Sequence, residues 1–86
     1  MYTICLVEDE EALSNIVKLY LEREGYQVKC FVKGSEAIKY IGSKVDLWIL
    51  DIMLGDDISG YDVIKEIRKT VSNGITTFSN ILFSHF

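Results

Sequence analysis

The chain has 86 residues, of which 49% are hydrophobic and 26% are charged, and its formal net charge is -4. This length suits a single domain, and this apolar content excludes a disordered chain. The acidic balance argues against direct nucleic-acid binding, because the basic residues are spread along the chain and none follows Lys69.

The two cysteines, Cys5 and Cys30, lie inside apolar runs and lack the spacing of a metal site. We interpret both as small buried hydrophobic residues rather than as a disulfide. The sequence shows neither a signal-peptide pattern nor an apolar segment long enough to span a bilayer, so no membrane contact is predicted. A reducing cytoplasm is the expected location.

The first third of the chain predicts a strand, a helix and a second strand. Residues 3–7 form an apolar run typical of a buried strand, and the acidic cluster 8–11 then opens a helix. The predicted inner face of this helix carries Leu13, Ile16, Val17 and Tyr20. Gly25 stands where a left-handed cap would end the helix. Residues 26–32 alternate in polarity, which predicts a strand with one face more buried.

The same alternation of strand and helix continues. A short helix is predicted from Gly34 to about Gly42. Residues 46–51 form a third strand, which lacks alternation and is therefore expected to be buried on both faces. Ser59 and Asp62 have the spacing of a capping box at the start of a third helix. The predicted inner face of that helix carries Val63, Ile64, Ile67 and Val71.

A β-α-β-α-β-α order predicts a parallel sheet with helices on both faces. Ligands of such sheets bind beyond the carboxyl ends of the strands, where the strand order reverses. Here strand one delivers Glu8 and Asp9 to that edge, and strand three delivers Asp51. Side by side they repel by several kcal/mol at an effective dielectric of about 20, unless they protonate or hold a hard cation such as Mg²⁺.

A simpler interpretation is that the acids only cap helices and solvate loops. We adopt it for Glu10 and Glu11, which follow the strand end and fall where a helix begins. For Glu8, Asp9 and Asp51 we favour a cation site, because each acid stands at a predicted strand end.

Three segments carry a family resemblance: "LVEDEE" at 6–11, "LDIML" at 50–54 and "GYDVIKEIR" at 60–68. Together they resemble the receiver domain of bacterial two-component response regulators, and they are especially similar to receivers that precede a winged-helix DNA-binding domain. The resemblance covers roughly residues 1–70. It implies a flavodoxin-like (CheY-like) α/β fold, which is a three-layer arrangement with a parallel sheet in the middle.

The resemblance also implies roles for individual residues. Asp51 matches the phosphoacceptor, which takes a phosphoryl group from the phosphohistidine of a sensor histidine kinase. Asp9 matches the direct Mg²⁺ ligand, Glu8 the outer acid that holds the ion, and Met53 the residue whose backbone carbonyl binds it. We expect a regulatory domain rather than an enzyme. A phosphatase-type hydrolase would need a general acid two residues beyond Asp51, and Met53 cannot donate a proton.

The family pattern weakens in the last part of the chain, residues 71–86. We expect a C-terminally truncated receiver that lacks the family's last strand and helices, with an atypical tail that forms a fourth strand or a short helix. "ITTFSN" at 75–80 is the candidate strand, and it places Ser79 near the family's switch Ser/Thr. A frameshifted reading frame and a genuine short variant both account for this ending.

Two functions fit these observations. The first is a receiver that accepts a phosphoryl group at Asp51, at a rate reduced because the family's Lys–Pro is absent: the chain has no Pro, and no Lys after Lys69. The alternative is a phosphorylation-dead fragment that acts as a dimerisation or interaction module. In both cases we expect a homodimer or a domain-swapped oligomer, because so short a chain has little core and a strongly apolar tail.

Overall fold

A computed structural model describes residues 2–51, 58–72 and 80–84 of the chain. Strands and helices alternate along it, as the sequence predicted. The elements are β1 (Thr3–Val7), α1 (Glu11–Arg23), β2 (Gln27–Phe31), α2 (Gly34–Lys39), β3 (Leu47–Asp51), α3 (Gly60–Ser72) and β4 (Asn80–Ser84). None of the described helices is both long and apolar enough to cross a bilayer.

The four strands form one sheet in the order β2-β1-β3-β4, and every neighbouring pair is parallel. The order reverses at β1, because the chain moves outward to β2 and then returns to the other side of β1 as β3. Helices cover both faces of the sheet, so the predicted three-layer α/β fold is confirmed. The switch point lies between β1 and β3.

One face of the sheet packs against α2 and α3 and forms the larger core. Trp48 is its largest fully buried side chain, at 1% exposed. The other buried members of this cluster are Cys5, Val7, Ala37, Val45, Leu50, Val63, Ile64 and Ile67. The 3.6-residue spacing on α3 therefore predicted its buried face correctly for the three described members, while the side chain of Val71 lies outside the described residues.

The opposite face of the sheet packs against α1 and is less completely covered. Ile4, Leu6 and Val28 are buried there, and partly buried side chains of α1 and β3 pack against them. Leu47 and Ile49 on β3 are only half-buried on this side. The prediction that the third strand is buried on both faces was therefore wrong for this face.

Helix α1 presents only part of the predicted face to the sheet: Val17 packs against the buried cluster and Leu13 is half-buried, as predicted. Ile16 and Tyr20 were expected to face inward, but they are 67% and 64% exposed. Ser14 is buried instead, and Leu21 is half-buried against the sheet. The apolar arc of α1 is wider than the surface that the sheet offers, so the spacing alone could not identify which part of the arc is covered.

The sequence signals for helix ends have direct structural counterparts. Gly25 has φ of 94° and follows the cap of α1, in the left-handed region that favours glycine. At the start of α3, the Asp62 N–H donates to Ser59 Oγ at 3.3 Å, and the Ser59 N–H donates to Asp62 Oδ2 at 3.1 Å. This reciprocal pair is the predicted capping box.

A reciprocal pair of hydrogen bonds at the other end of the sheet holds β1 against the segment before β3. The Thr3 N–H donates to Asp46 Oδ2 at 2.7 Å, and the Asp46 N–H donates to the Thr3 carbonyl at 2.9 Å. Because a strand pair has a fixed register, this anchor also determines which residues meet at the opposite, carboxyl end.

Two predicted boundaries need correction. The acids of the 8–11 cluster do not all belong to a helix, because α1 begins at Glu11 and Glu10 occupies its N-cap. The fourth strand is Asn80–Ser84, so it begins at the last residue of the candidate segment 75–80. Residues 75–79 lie outside the described part of the chain. Asn80–Ser84 is the segment that continues the parallel pairing with β3.

Gly34 begins α2 at a point of close approach to the segment that leads into α3. A Cβ atom at this position would lie 2.9 Å from Ile58 Cγ2 and 3.1 Å from the Ile58 carbonyl oxygen. Contacts this short force a displacement of the neighbour. Glycine at position 34 therefore allows the start of α2 to pack closely against the residue that precedes the α3 capping box.

We predict that Gly34→Ala lowers the free energy of unfolding by about 1–3 kcal/mol, because the added methyl group overpacks this contact. Helix propensity alone predicts the opposite sign, since alanine is the better helix former. Urea unfolding of the two proteins measures the difference. Adding Ile58→Ala removes the Cγ2 atom, so the double variant should be more stable than the sum of the single losses implies. Full additivity would contradict the contact.

Candidate functional site

Three carboxylates meet where β1 and β3 end. Glu8 and Asp9 directly follow β1, and Asp51 is the last residue of β3. One carboxylate oxygen from each of the three lies within 4.8 Å of the others. In the parallel pairing Val7 is the register partner of Leu50, so the next residues of the two strands, Glu8 and Asp51, are brought to the same edge.

The backbone holds Glu8 in a defined position. Its N–H donates to the Phe31 carbonyl at 3.0 Å, which extends the pairing of β1 with β2 by one residue. Its Oε2 accepts the Glu10 N–H at 3.3 Å, at the N-cap of α1. The residue is only 4% exposed. Glu8 is thus a buried acid whose carboxylate is oriented by the start of α1.

Asp51 is also buried, at 8% exposed, whereas Asp9 is exposed. The carboxyl groups of Glu8 and Asp51 lie close enough to share a hydrogen bond when Glu8 is protonated. The site therefore combines two buried acids with one acid at its mouth.

Burial, and after it the contact with Asp51, raise the pKa of Glu8 from its ordinary value of 4.5 to about 7. A charged group loses solvation energy when it is buried, and a neighbouring carboxylate adds repulsion. Below about pH 7, and without a cation, Glu8 consequently retains its proton. A bound cation would displace that proton.

The donor set fits a magnesium ion. Six oxygens around Mg²⁺ at about 2.0–2.1 Å lie about 3 Å apart when adjacent and about 4 Å apart when opposite. The three carboxylate oxygens lie within 4.8 Å of one another, which small side-chain adjustments or an intervening water can accommodate. Met53 lies outside the described residues. Hard oxygen ligands of this kind suit Mg²⁺ better than zinc or copper.

A cleft beside the acids separates α1 from β3. Its cavity volume is about 10 Å³, which is roughly the room that one water molecule needs. Its lining residues are Leu6, Val7, Glu8, Leu13, Ser14, Val17, Ile49 and Asp51. The buried Ser14 hydroxyl and the two acids are the polar groups of an otherwise apolar wall. The cleft thus has room for about one water molecule beside the buried acids.

One residue of interest was missed in the sequence. Ser84 ends β4 and is the register partner of Asp51 across the parallel pair. Ser79, the residue expected near this position, lies outside the described residues. A signal for Ser84 was present, because "ILFS" repeats the pattern of the other two strands: an apolar run that ends on a polar residue at the carboxyl edge. An apolar run of only three residues made it inconspicuous.

The sequence matches a family model described as "Response regulator receiver domain" over residues 4–81. The match extends past residue 70 into β4. The chain is also similar to the transcriptional regulatory protein CssR of Bacillus subtilis, with 51% identity over 67 residues. That similarity covers 78% of this chain but only 29% of CssR. The chain therefore spans less than a third of the length of this curated relative.

Two solved structures have the same fold. The response regulator protein TrrA from Thermotoga maritima, in complex with Mg²⁺ and BeF, is 34% identical with a TM-score of 0.84. The match covers 99% of this chain and 70% of TrrA. A complex of the histidine kinase ThkA with TrrA contains a chain that is 36% identical with a TM-score of 0.80, over 96% of this chain and 67% of that one.

We predict that the metal-free protein loses stability as pH rises from about 4.5 to about 7. Below pH 4.5 the folded and unfolded chains both hold the Glu8 proton. Between these values only the folded chain holds it, because its pKa is raised to about 7. The proton-linked contribution of Glu8 is therefore complete at low pH and lost as pH passes through the folded pKa.

Urea unfolding with a chelator present, at about pH 5 and about pH 7.5, measures this loss. Glu8→Gln should flatten the dependence, because glutamine cannot titrate. Glu11→Gln is the matched control, since Glu11 is an exposed acid in the first turn of α1, and it should leave the pH dependence intact. A stability that rises over this interval in the parent protein would contradict the burial of Glu8 as a protonated acid.

Proposed function

Because the chain belongs to the response regulator receiver family, we propose that it is a phosphoacceptor domain that is phosphorylated on Asp51 by a sensor histidine kinase with Mg²⁺ present. The observation that carries this proposal is the convergence of Glu8, Asp9 and Asp51 within 4.8 Å at the switch point of the sheet. An acidic cluster at this place in a parallel α/β fold is typical of a ligand site rather than of helix capping.

Asp51 is suited to act as the nucleophile. It ends a central strand, so its backbone is held by β3 and its position relative to Glu8 is set by the sheet register. In the proposed transfer a carboxylate oxygen of Asp51 attacks the phosphorus of the kinase phosphohistidine. A P–O bond forms as the P–N bond breaks, and the electron pair of that bond returns to the histidine nitrogen.

The acids around Asp51 would hold the metal. We propose that Asp9 ligates Mg²⁺ directly, that Glu8 holds it as the outer acid, and that the Met53 backbone carbonyl completes the protein ligands. The ion neutralises negative charge that otherwise opposes the approach of a phosphoryl group. The raised pKa of Glu8 supports this assignment, since it shows how strongly this site disfavours additional negative charge when no cation is present.

We propose Ser84, rather than Ser79, as the switch residue that would contact a phosphoryl group on Asp51. The family places this hydroxyl at the end of strand four, and β4 ends at Ser84, level with Asp51. In this proposal β4 joins residues 1–70 in one sheet, so the segment 71–86 contributes to the receiver rather than forming a separate tail. The register of β3 with β4 is the supporting observation.

The partner proposal also follows from the comparisons. A chain with 36% identity to this one is found in complex with the histidine kinase ThkA, and we propose that a kinase of that type phosphorylates Asp51. We propose no direct nucleic-acid contact for these 86 residues, because their net charge is -4. A reducing, cytoplasmic location is proposed because the buried Cys5 and the half-buried Cys30 are both free.

A second candidate function, self-association, is supported by the surface of α1. Ile16, Leu19 and Tyr20 are 67%, 63% and 64% exposed. Leu19 and Tyr20 lie three and four residues after Ile16, so the three side chains form one apolar stripe. The neighbouring β3 side chains on this face are only half-buried. We propose that the chain forms homodimers or domain-swapped oligomers, in which apolar surface of this kind is covered.

We predict that acetyl phosphate and Mg²⁺ phosphorylate Asp51, because its carboxylate is held at the carboxyl end of β3 beside Glu8 and Asp9. The intact mass of the protein should show a single phosphoryl adduct, and Asp51→Asn should abolish it. Asp56→Asn is the matched control, since it removes an acid five residues further along the sequence, and it should leave the adduct unchanged. An adduct that survives Asp51→Asn would refute the proposed phosphoacceptor.

We predict that Asp9→Asn weakens Mg²⁺ binding by at least about tenfold, since it removes a charged ligand from the site. Changes in the backbone amide NMR signals of Glu8, Asp9 and Asp51 during a Mg²⁺ titration report the affinity without any phosphoryl transfer. Glu10→Gln is the control, because that side chain makes no cap hydrogen bond and is exposed. Equal affinity of Asp9→Asn and the parent would contradict the assignment.

A further inference from the structure

A polar residue, Ser14, interrupts the row of α1 side chains that faces the sheet. Ser14, Val17 and Leu21 follow one another at spacings of three and four residues, so they lie on one face of the helix. Val17 and Leu21 pack against the apolar cluster beneath α1. Ser14 is as buried as that cluster, at 4% exposed. Serine is usually exposed in folded proteins, so a buried hydroxyl at this position calls for a physical reason.

The Ser14 hydroxyl has no hydrogen-bond partner among the residues that the structure describes. A serine inside a helix can donate to the carbonyl oxygen four residues earlier. Here that oxygen, on Glu10, accepts the Ser14 backbone N–H at 3.0 Å. A buried hydroxyl without a partner costs free energy, and buried polar groups of native proteins are nearly always paired with protein atoms or with ordered water.

The cleft between α1 and β3 offers a place for such a water. Among the described residues that line it, the polar side chains are Glu8, Ser14 and Asp51. They come from three elements, since Glu8 follows β1, Ser14 lies on α1 and Asp51 ends β3. Their exposures are 4%, 4% and 8%, so all three are more than nine-tenths buried. The cavity volume of about 10 Å³ is roughly what one water molecule needs.

We propose that one buried water molecule in this cleft joins the Ser14 hydroxyl to the carboxyl groups of Glu8 and Asp51, and that Ser14 is thereby a positioning residue of the proposed magnesium site. The water accepts a hydrogen bond from the Ser14 O–H and donates its two hydrogens to the two acids. Three hydrogen bonds are typical of a buried water. Carboxylates only accept, so the hydroxyl and the water supply the donors.

This water serves the acids on their buried side. Asp9 is exposed at the mouth of the cluster, so a cation that it ligates approaches the acids from the solvent side. Ser14 and the cleft lie on the other side, where buried carboxylate oxygens need hydrogen-bond donors. Groups that orient metal ligands in this way affect metal affinity without touching the ion. The positioning role rests on the proposed function, whereas the water site does not.

The water site is tested by oxygen-17 relaxation dispersion of the solvent signal, which counts the long-lived buried waters of a protein without Mg²⁺ or phosphoryl transfer. Ser14→Val removes the hydroxyl and adds carbon atoms to the cleft, so it should lower the count by one water relative to the parent. Asn15→Val is the matched control, because Asn15 is the next residue of α1 and is exposed, and it should leave the count unchanged. An unchanged count in folded Ser14→Val would overturn the water site.

Ser14→Ala tests the positioning role and remains informative if Ser14→Val fails to fold, because alanine is smaller than serine and a better helix former. In the proposal the water loses one of its three partners, so the affinity for Mg²⁺ should fall by about tenfold, as is typical when a group that orients metal ligands is removed. If Ser14 were only a small buried residue, the change would leave Mg²⁺ affinity unaltered and stabilise the fold.

The Mg²⁺ titration followed by backbone amide NMR signals measures this affinity, with Asn15→Ala as the control that should bind like the parent. Equal affinity of Ser14→Ala and the parent would overturn the positioning role. A parent protein that binds no Mg²⁺ would overturn the proposed magnesium site and the positioning role together, while the water count still decides the water site. Failure of Asp51 to accept a phosphoryl group would overturn the proposed function and leave both measurements valid.

Discussion

The parallel pairing of β1 with β3 is the constraint on which both the core and the site depend. Each strand is an apolar segment that leads into an acid, and the pairing places the two segments side by side. The hydrogen bonds between Thr3 and Asp46 hold the amino ends together. A register held at that end carries Glu8 and Asp51 to the same place at the other, where an oxygen of each lies within 4.8 Å of the other.

The close placement of Glu8 and Asp51 lowers the stability of the fold at the same place where the candidate site needs its acids. Two like charges about 4 Å apart repel by about 4 kcal/mol at an effective dielectric of about 20, and burial strengthens the effect. The protein without metal reduces this cost by retaining a proton, as the raised pKa of Glu8 indicates. A cation offers a second way to reduce it, which couples the stability of the fold to occupancy of the site.

One face of the sheet forms the main core, whereas the other leaves apolar surface exposed. The face under α2 and α3 holds Trp48 and the larger buried cluster, and the close contact of Gly34 with Ile58 ties α2 to the start of α3. The α1 face is less complete, with half-buried side chains on β3 and an apolar stripe on the outer side of α1. Among the described residues, apolar surface available to a partner is thus concentrated on the outer side of α1.

Sequence patterns predicted a structural feature correctly where the cause of that feature lies within a few neighbouring residues. The order of strands and helices, the left-handed Gly25 and the Ser59–Asp62 capping box each depend on a few neighbouring residues. The proximity of Glu8, Asp9 and Asp51 could also be predicted from the sequence. Acids at the ends of two parallel strands reach the same edge of the sheet whenever those strands are neighbours.

The sequence by itself therefore determined the class of fold and the place of the acidic cluster. Only the tertiary structure decided that Ser14, and not Ile16 or Tyr20, faces inward from α1, since coverage of a broad apolar arc depends on the width of the opposing sheet. It likewise decided that β4 begins at Asn80 and places Ser84 level with Asp51. Strand register is a relation between distant segments, and no local pattern of either segment specifies it.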